Sequence, residues 1–184
     1  MKSSRCRWLF PLLCLALTRE VRAADYQPTL HDGVTTAGDV MTYALPVAAM
    51  GVSAFLKDGK GAWELTKSGL ITMSVSVALK YTVKARRPNN DPYSFPSGHV
   101  AISFVSAEYL RKRYGWQYGV PAYVAASFVG YSRVRANEHY FRDVAAAGAI
   151  GIVTTYFVTT PYHGWLIQPE FTAERRGIRF SREF

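Results

Sequence analysis

Cysteine is nearly missing from this chain of 184 residues, and its two copies, Cys6 and Cys14, both fall near the start. In that region Lys2, Arg5 and Arg7 precede an apolar run from Trp8 to Leu17, and Val21-Arg22-Ala23 supplies small residues at a cleavage spacing. This order predicts a secretory signal peptide over 1–23, removed after Ala23. Residues 24–184 then hold no thiol, which excludes cysteine nucleophiles, disulfides and thiolate zinc sites from the mature chain. Charge is scarce as well. Charged residues make up 19% against 49% hydrophobic, which excludes a disordered chain. No repeat, low-complexity tract or linker divides the sequence, so 24–184 reads as one domain with its core at 39–160.

Acidic residues are the scarcer sign, 13 against 22 Lys and Arg, for a net charge of +9. The leader contains five basic residues and one acidic, so +5 stays with the mature chain. A basic balance suits nucleic acid, anionic lipid or phosphate-bearing substrates. No nucleic-acid-binding motif is present, which leaves phosphate and anionic lipid.

Runs that alternate polar with apolar are also rare, and Val, Ile and Leu mix with Ala, so the chain reads as all-α. Five helices are expected, at about Asp39 to Leu56, Ala62 to Lys84, Ser97 to Arg113, Tyr118 to Tyr131 and His139 to Thr160. They make an antiparallel helical bundle. The Pro-rich loop from Arg87 to Pro96 and the loop from Ser132 to Glu138 then meet at one end.

Those two loops hold the reactive side chains. Lys80 and Arg87 bracket the end of the second helix, and Pro96-Ser97-Gly98-His99 opens the third. A helix N-terminus offers unpaired N–H groups and a positive dipole end, so it binds anions. Gly98 allows close approach of backbone, and the Ser97 hydroxyl can cap the helix or donate to an oxygen. Arg87 and Arg133 offer planar forks that match phosphate oxygens, and Lys80 adds a point charge. His139 and Asp143, four apart on an expected helix, share a face, so the carboxylate can orient the ring as a nucleophile. His99 can protonate a departing oxygen and later activate water. His31 and His163 have no such company and read as structural.

Together, Lys80-x6-Arg87-Pro88, Pro96-Ser97-Gly98-His99 and Ser132-Arg133-x5-His139-x3-Asp143 resemble the signature of the type 2 phosphatidic-acid phosphatase and vanadium haloperoxidase superfamily. Eleven specified residues at about one in twenty each give ~10⁻¹⁴, and ~10⁶ placements still leave roughly 10⁻⁸. The resemblance implies a phosphatase domain with a phosphohistidine intermediate on His139, oriented by Asp143, and His99 as general acid and then base. It implies that Lys80, Arg87, Ser97, Gly98 and Arg133 hold the phosphate. It implies neither metal nor other cofactor, and inhibition by vanadate as a phosphate mimic. The substrate is a phosphorylated lipid (phosphatidate-like, isoprenyl diphosphate or lipid A phosphate) or a small phosphate ester. An inactive phospholipid-binding protein is a third reading, disfavoured because binding alone needs no His139–Asp143 pair.

The layout of charge bears on location. With the mature N-terminus outside, the inner loops carry Lys57 and Lys60; Arg111, Lys112 and Arg113; and Arg175, Arg176, Arg179 and Arg182. That fits the positive-inside tendency, with both reactive loops facing the periplasm from an inner membrane. Lys67 and Glu108 interrupt helices and speak for the alternative, a soluble periplasmic bundle.

Overall fold

A computed structural model of the chain describes residues 27–163, together with the backbone of 165–171 and 176–182. The leader expected over 1–23, both cysteines, and Arg175 lie outside the described residues. Five helices form the body: α1 (Gly33–Phe55), α2 (Gly59–Val83), α3 (Gly98–Tyr114), α4 (Trp116–Arg135) and α5 (Phe141–Val158). A two-stranded antiparallel hairpin follows, β1 (Trp165–Phe171) and β2 (Arg176–Arg182), with Trp165 opposite Arg182. The all-α bundle is as expected from the sequence; the hairpin was not foreseen.

The helix ends follow from local chemistry. α1 starts two turns before Asp39 because Asp32 caps it. The Asp32 carboxylate accepts from Val34 N–H at 3.0 Å and Thr35 N–H at 2.9 Å, while the Thr35 hydroxyl accepts from Asp32 N–H at 2.9 Å. α2 is capped by Asp58, which accepts from Gly61 N–H at 2.9 Å. It ends at Lys84, whose φ of 51° is left-handed. Gly115, at φ 98°, separates α3 from α4. α4 runs on to Arg135, so Arg133 belongs to its last turn and not to a loop.

α3 is the central helix and packs against the other four. Close approach depends on glycine at several places, Gly38 and Gly151 among them. A Cβ on Gly38 of α1 would fall 1.9 Å from Ser132 Oγ, and one on Gly151 of α5 would fall 2.6 Å from the Ala101 carbonyl oxygen of α3. Small and polar side chains fill much of the interior: Ser53, Ser68, Thr72, Ser76, Ser103 and Thr155 are buried. Large apolar ones face outward, with Val47 70%, Leu70 62%, Val124 67%, Phe141 76% and Phe157 81% exposed. Among the described residues one helix, Phe141–Val158, is long and apolar enough to cross a membrane.

The end of the bundle away from the expected site is fastened by charge. Arg113 donates to both carboxylate oxygens of Asp58 at 2.6 Å, and also reaches Glu64 at 3.3 Å and the Thr160 carbonyl at 2.7 Å. The Tyr114 hydroxyl adds a bond to Asp58 at 2.8 Å. One guanidinium thereby ties the α1–α2 turn, α2, α3 and the segment after α5. Breaking a buried pair of this kind by removing one partner costs about 3–5 kcal/mol, whatever the intact pair contributes in net stability.

Candidate active site

At the opposite end, the loop after α2 and the loop before α5 come together around a hollow of about 300 Å³. Lys80, Arg87, Gly98, His99 and His139 line it, with Thr42 and Met73 among the other walls. The loop that carries Arg87 is held by its own backbone: Arg87 N–H donates to Asp91 at 2.8 Å, and Ser94 N–H to Ala85 at 2.8 Å. Lys80 donates to the Tyr93 carbonyl at 2.8 Å, which fixes the ammonium at the rim. Tyr93 itself sits at φ 62°, unusual for a bulky residue, so its surroundings must hold it there.

His139 is 2% exposed, and its Nδ1 is buried without a hydrogen-bond partner. Burial, then the charges of Arg87 and Lys80, push its pKa down to about 3. The ring is therefore neutral across the physiological range, as a nitrogen nucleophile must be. Arg87 Nε and Ser97 Oγ are also buried without partners. An unpartnered guanidinium Nε beside that imidazole at the hollow suits a phosphate oxygen.

Two expectations about these side chains need correction, the shared helical face of His139 and Asp143 and the placement of Arg133 at the hollow. α5 begins at Phe141, so His139 precedes the helix and does not share its face with Asp143. The His139 Nδ1 to Asp143 Oδ2 distance is 3.9 Å, too long for a hydrogen bond. Asp143 uses one oxygen elsewhere: its Oδ2 accepts from Tyr140 N–H at 3.0 Å, as a cap of α5, and from the Ser94 hydroxyl at 2.5 Å, while its Oδ1 is buried without a hydrogen-bond partner. Ser97 stands at the N-cap position of α3, yet its hydroxyl makes no capping bond. Arg133 is buried but does not line the hollow. It pairs with Asp39 at 2.7 Å and Glu138 at 3.2 Å, and donates to the Thr35 carbonyl at 2.9 Å. Its charge still acts on His99, together with those of Glu138, Asp39 and Arg87. His31 and His163 are exposed and neither lines the hollow, although His31 lies in the segment ahead of α1 that bonds to these loops.

Asp39, Ser94, Glu138 and Tyr140 were not singled out from the sequence. Ser94 and Tyr140 lie within or beside the reactive strings and their proximity was a usable signal. Asp39 was not, because its partner is 94 positions away and salt-bridge pairing leaves no mark on spacing.

Comparison with known proteins agrees with the fold and the motif. The family model of the PAP2 superfamily matches residues 61–165. A lipid A 4'-phosphatase of Helicobacter pylori is 30% identical over 166 residues, spanning 80% of this chain and 83% of that one. A lipid A 1-phosphatase of Porphyromonas gingivalis is 39% identical over 79 residues, 40% of this chain and 18% of that one. The crystal structure of Aquifex aeolicus LpxE superposes with a TM-score of 0.59 at 18% identity, over 80% of this chain and 93% of that one. That of a transmembrane PAP2-type phosphatidylglycerolphosphate phosphatase from Bacillus subtilis gives 0.53 at 21% identity, over 80% and 75%. A five-helix bundle of this shape, with the three motif strings meeting at one end and a family match over more than half of its length, belongs to the PAP2 superfamily.

Proposed function

We propose that the protein is a phosphatase of membrane lipid phosphates that works through a histidine nucleophile without a metal ion. One observation carries the reading: a neutral, buried imidazole, a second imidazole and two cationic side chains share a single small hollow. In the first step the His139 nitrogen facing the hollow, Nε2, forms a bond to phosphorus as the ester P–O bond breaks. His99 gives its proton to the departing oxygen. In the second step water loses a proton to His99 and attacks the phosphohistidine, the P–N bond breaks, and inorganic phosphate leaves. Lys80, Arg87, the Ser97 hydroxyl and the N–H groups that open α3 stabilise the equatorial oxygens, the larger part of the catalytic demand in phosphoryl transfer. Arg133 contributes charge from behind this ring. Asp143 holds the His139 loop through Tyr140 and Ser94.

Three observations support a lipid substrate and a bilayer location. Small side chains between helices and large apolar ones outside suit a bundle surrounded by acyl chains. Glu108, which spoke against insertion, is neutralised by Arg111 at 2.6 and 2.5 Å and by the Tyr123 hydroxyl at 2.5 Å. An apolar groove of about 560 Å³ also opens between α4 and α5, and Val134 and Phe141, on either side of the His139 loop, line it. The relatives named as lipid A phosphatases add weight to lipid A phosphate as the substrate, and the basic loops at the other end of the bundle support a hollow that faces the periplasm.

Phosphate release from detergent-purified protein tests the reading, over diacyl phosphates, isoprenyl diphosphates, lipid A and p-nitrophenyl phosphate. Turnover of one or more lipid phosphates, abolished by His139→Ala, is expected. Inertness toward every phosphate ester in the panel would overturn it, and release of the protein from membranes by carbonate would remove the bilayer location.

A further inference from the structure

The segment 27–32, ahead of α1, crosses the reactive end of the bundle and bonds to both loops that build the hollow. Toward the Arg87 loop, Gln27 N–H donates to the Pro88 carbonyl at 2.9 Å, and Asn89 Nδ2 donates to the Thr29 hydroxyl at 2.8 Å. Toward the His139 loop, Leu30 N–H donates to the Ala136 carbonyl at 3.1 Å, and Asn137 Nδ2 donates to the Pro28 carbonyl at 2.9 Å. At its end Asp32, the cap of α1, pairs with Arg135 at 2.7 Å. Asn89 is two residues after Arg87, and Asn137 is two residues before His139. Asn137 is also left-handed, at φ 58°, a conformation that asparagine accepts better than most residues.

We infer that the segment 27–32 is a positioning strap: by holding Asn89 and Asn137 it fixes Arg87 and His139 relative to one another. The inference rests on the phosphatase reading above. The loops also meet directly, through Ser94 and Ser97 with Asp143. Those contacts fix the floor of the site near His139 and leave the 86–91 half of the other loop to bonds within itself, among them Asn89 with Asp91 and Arg86 with Asn90. The strap supplies the missing tie on that side. None of residues 27–32 is buried, so the segment adds little to the core and its effect is on placement. A misplacement of about 1 Å in such a constellation costs on the order of 100-fold in rate.

The test uses the full chain in detergent, with Thr29→Val combined with Asn137→Gly, and Thr29→Ser as the conservative control. Asn137→Gly keeps the left-handed backbone and removes only the amide. Two results are expected together: kcat/KM falls about tenfold or more at an unchanged unfolding temperature, and amide exchange quickens at 86–91 and 136–140. Thr29→Ser keeps wild-type values of both. Wild-type kcat/KM in the double variant, unchanged exchange in the two loops, or a rate loss that follows a lowered unfolding temperature and persists in Thr29→Ser would each overturn the strap. Should the wild type release no phosphate, the phosphatase reading fails, and the exchange measurement by itself still decides whether the strap holds the loops.

Discussion

Ser94 donates its hydroxyl hydrogen to Asp143 at 2.5 Å, and the same carboxylate oxygen stands 3.9 Å from His139 Nδ1. The carboxylate thus holds the proposed nucleophile by fixing the residue after it, through Tyr140 N–H, and the facing loop, through the Ser94 hydroxyl, more than by a direct bond to the ring.

Loss of that oxygen's donors should be felt in both stability and rate. Ser94→Ala removes one of two donors to a fully buried carboxylate, which costs about 1–3 kcal/mol for a buried group left short of a partner. Thermal unfolding in detergent reads the loss, and kcat should fall with it. Asp143→Asn should be worse on kcat than Ser94→Ala, because it weakens both tethers together.

The depressed pKa of His139 gives a pH dependence whose sign can be worked out. The folded value is about 3, while an unfolded histidine titrates near 6.5. Below about pH 6.5 the unfolded state binds the extra proton, so stability is complete above that point and declines as pH falls toward 3. Unfolding followed at pH 7 and pH 4.5 should show this decline, and His139→Gln should flatten it. His139, the proposed nucleophile, stays neutral to about pH 4, so an acid limb in kcat/KM above that pH must come from another group.

Arg133 and Asp39 should respond unequally to substitution. Arg133 is buried and its removal strands Glu138 and the Thr35 carbonyl, so Arg133→Ala should cost about 3–5 kcal/mol. Asp39 is half exposed, and its pair with Arg133 is screened by solvent, so Asp39→Asn should cost under about 1 kcal/mol. Equal unfolding temperatures for the two variants would contradict the arrangement.

The packing of α5 on α3 gives a test independent of chemistry. Gly151→Ala places a methyl group 2.6 Å from the Ala101 carbonyl oxygen, and the backbone cannot yield cheaply, so a loss of about 1–3 kcal/mol is expected. Gly51→Ala meets nothing within 4 Å and should raise stability by up to about 1 kcal/mol through helix propensity. Paired thermal unfolding measurements check both signs.

Inhibitor behaviour follows from the proposed cradle. Vanadate should compete with substrate, and Arg87→Ala should weaken that inhibition at least tenfold, the loss of one charge-assisted contact. EDTA should leave the rate unchanged; strong inhibition that added divalent metal reverses would contradict a metal-free reaction.

The sequence made the helices and the reactive strings readable, since helix existence follows composition and the strings follow local spacing. Boundaries were less so. The start of α1 was placed at Asp39 because the Asp32–Thr35 capping box lies in a stretch with little apolar periodicity. His139 was read as helical because spacing alone cannot tell a residue at the first turn from one just before it. Arg133 was counted with the phosphate ligands; it pairs with Glu138, five residues on in the same string, and with Asp39, a contact set by how α1 lies against α4. Such a relation depends on Gly38 as a contact point and has no local signature.

α3 bears His99 in its first turn and Arg113 in its last, 14 residues and so about 21 Å apart. Ser97 N–H is tied to Asp143 at one extremity and the guanidinium is locked among carboxylates at the other. A rod anchored at both extremities cannot slide along its axis without breaking one anchorage. Any widening that admits a bulky headgroup must therefore come from a sideways tilt of the peripheral helices, with α3 as the stationary axle.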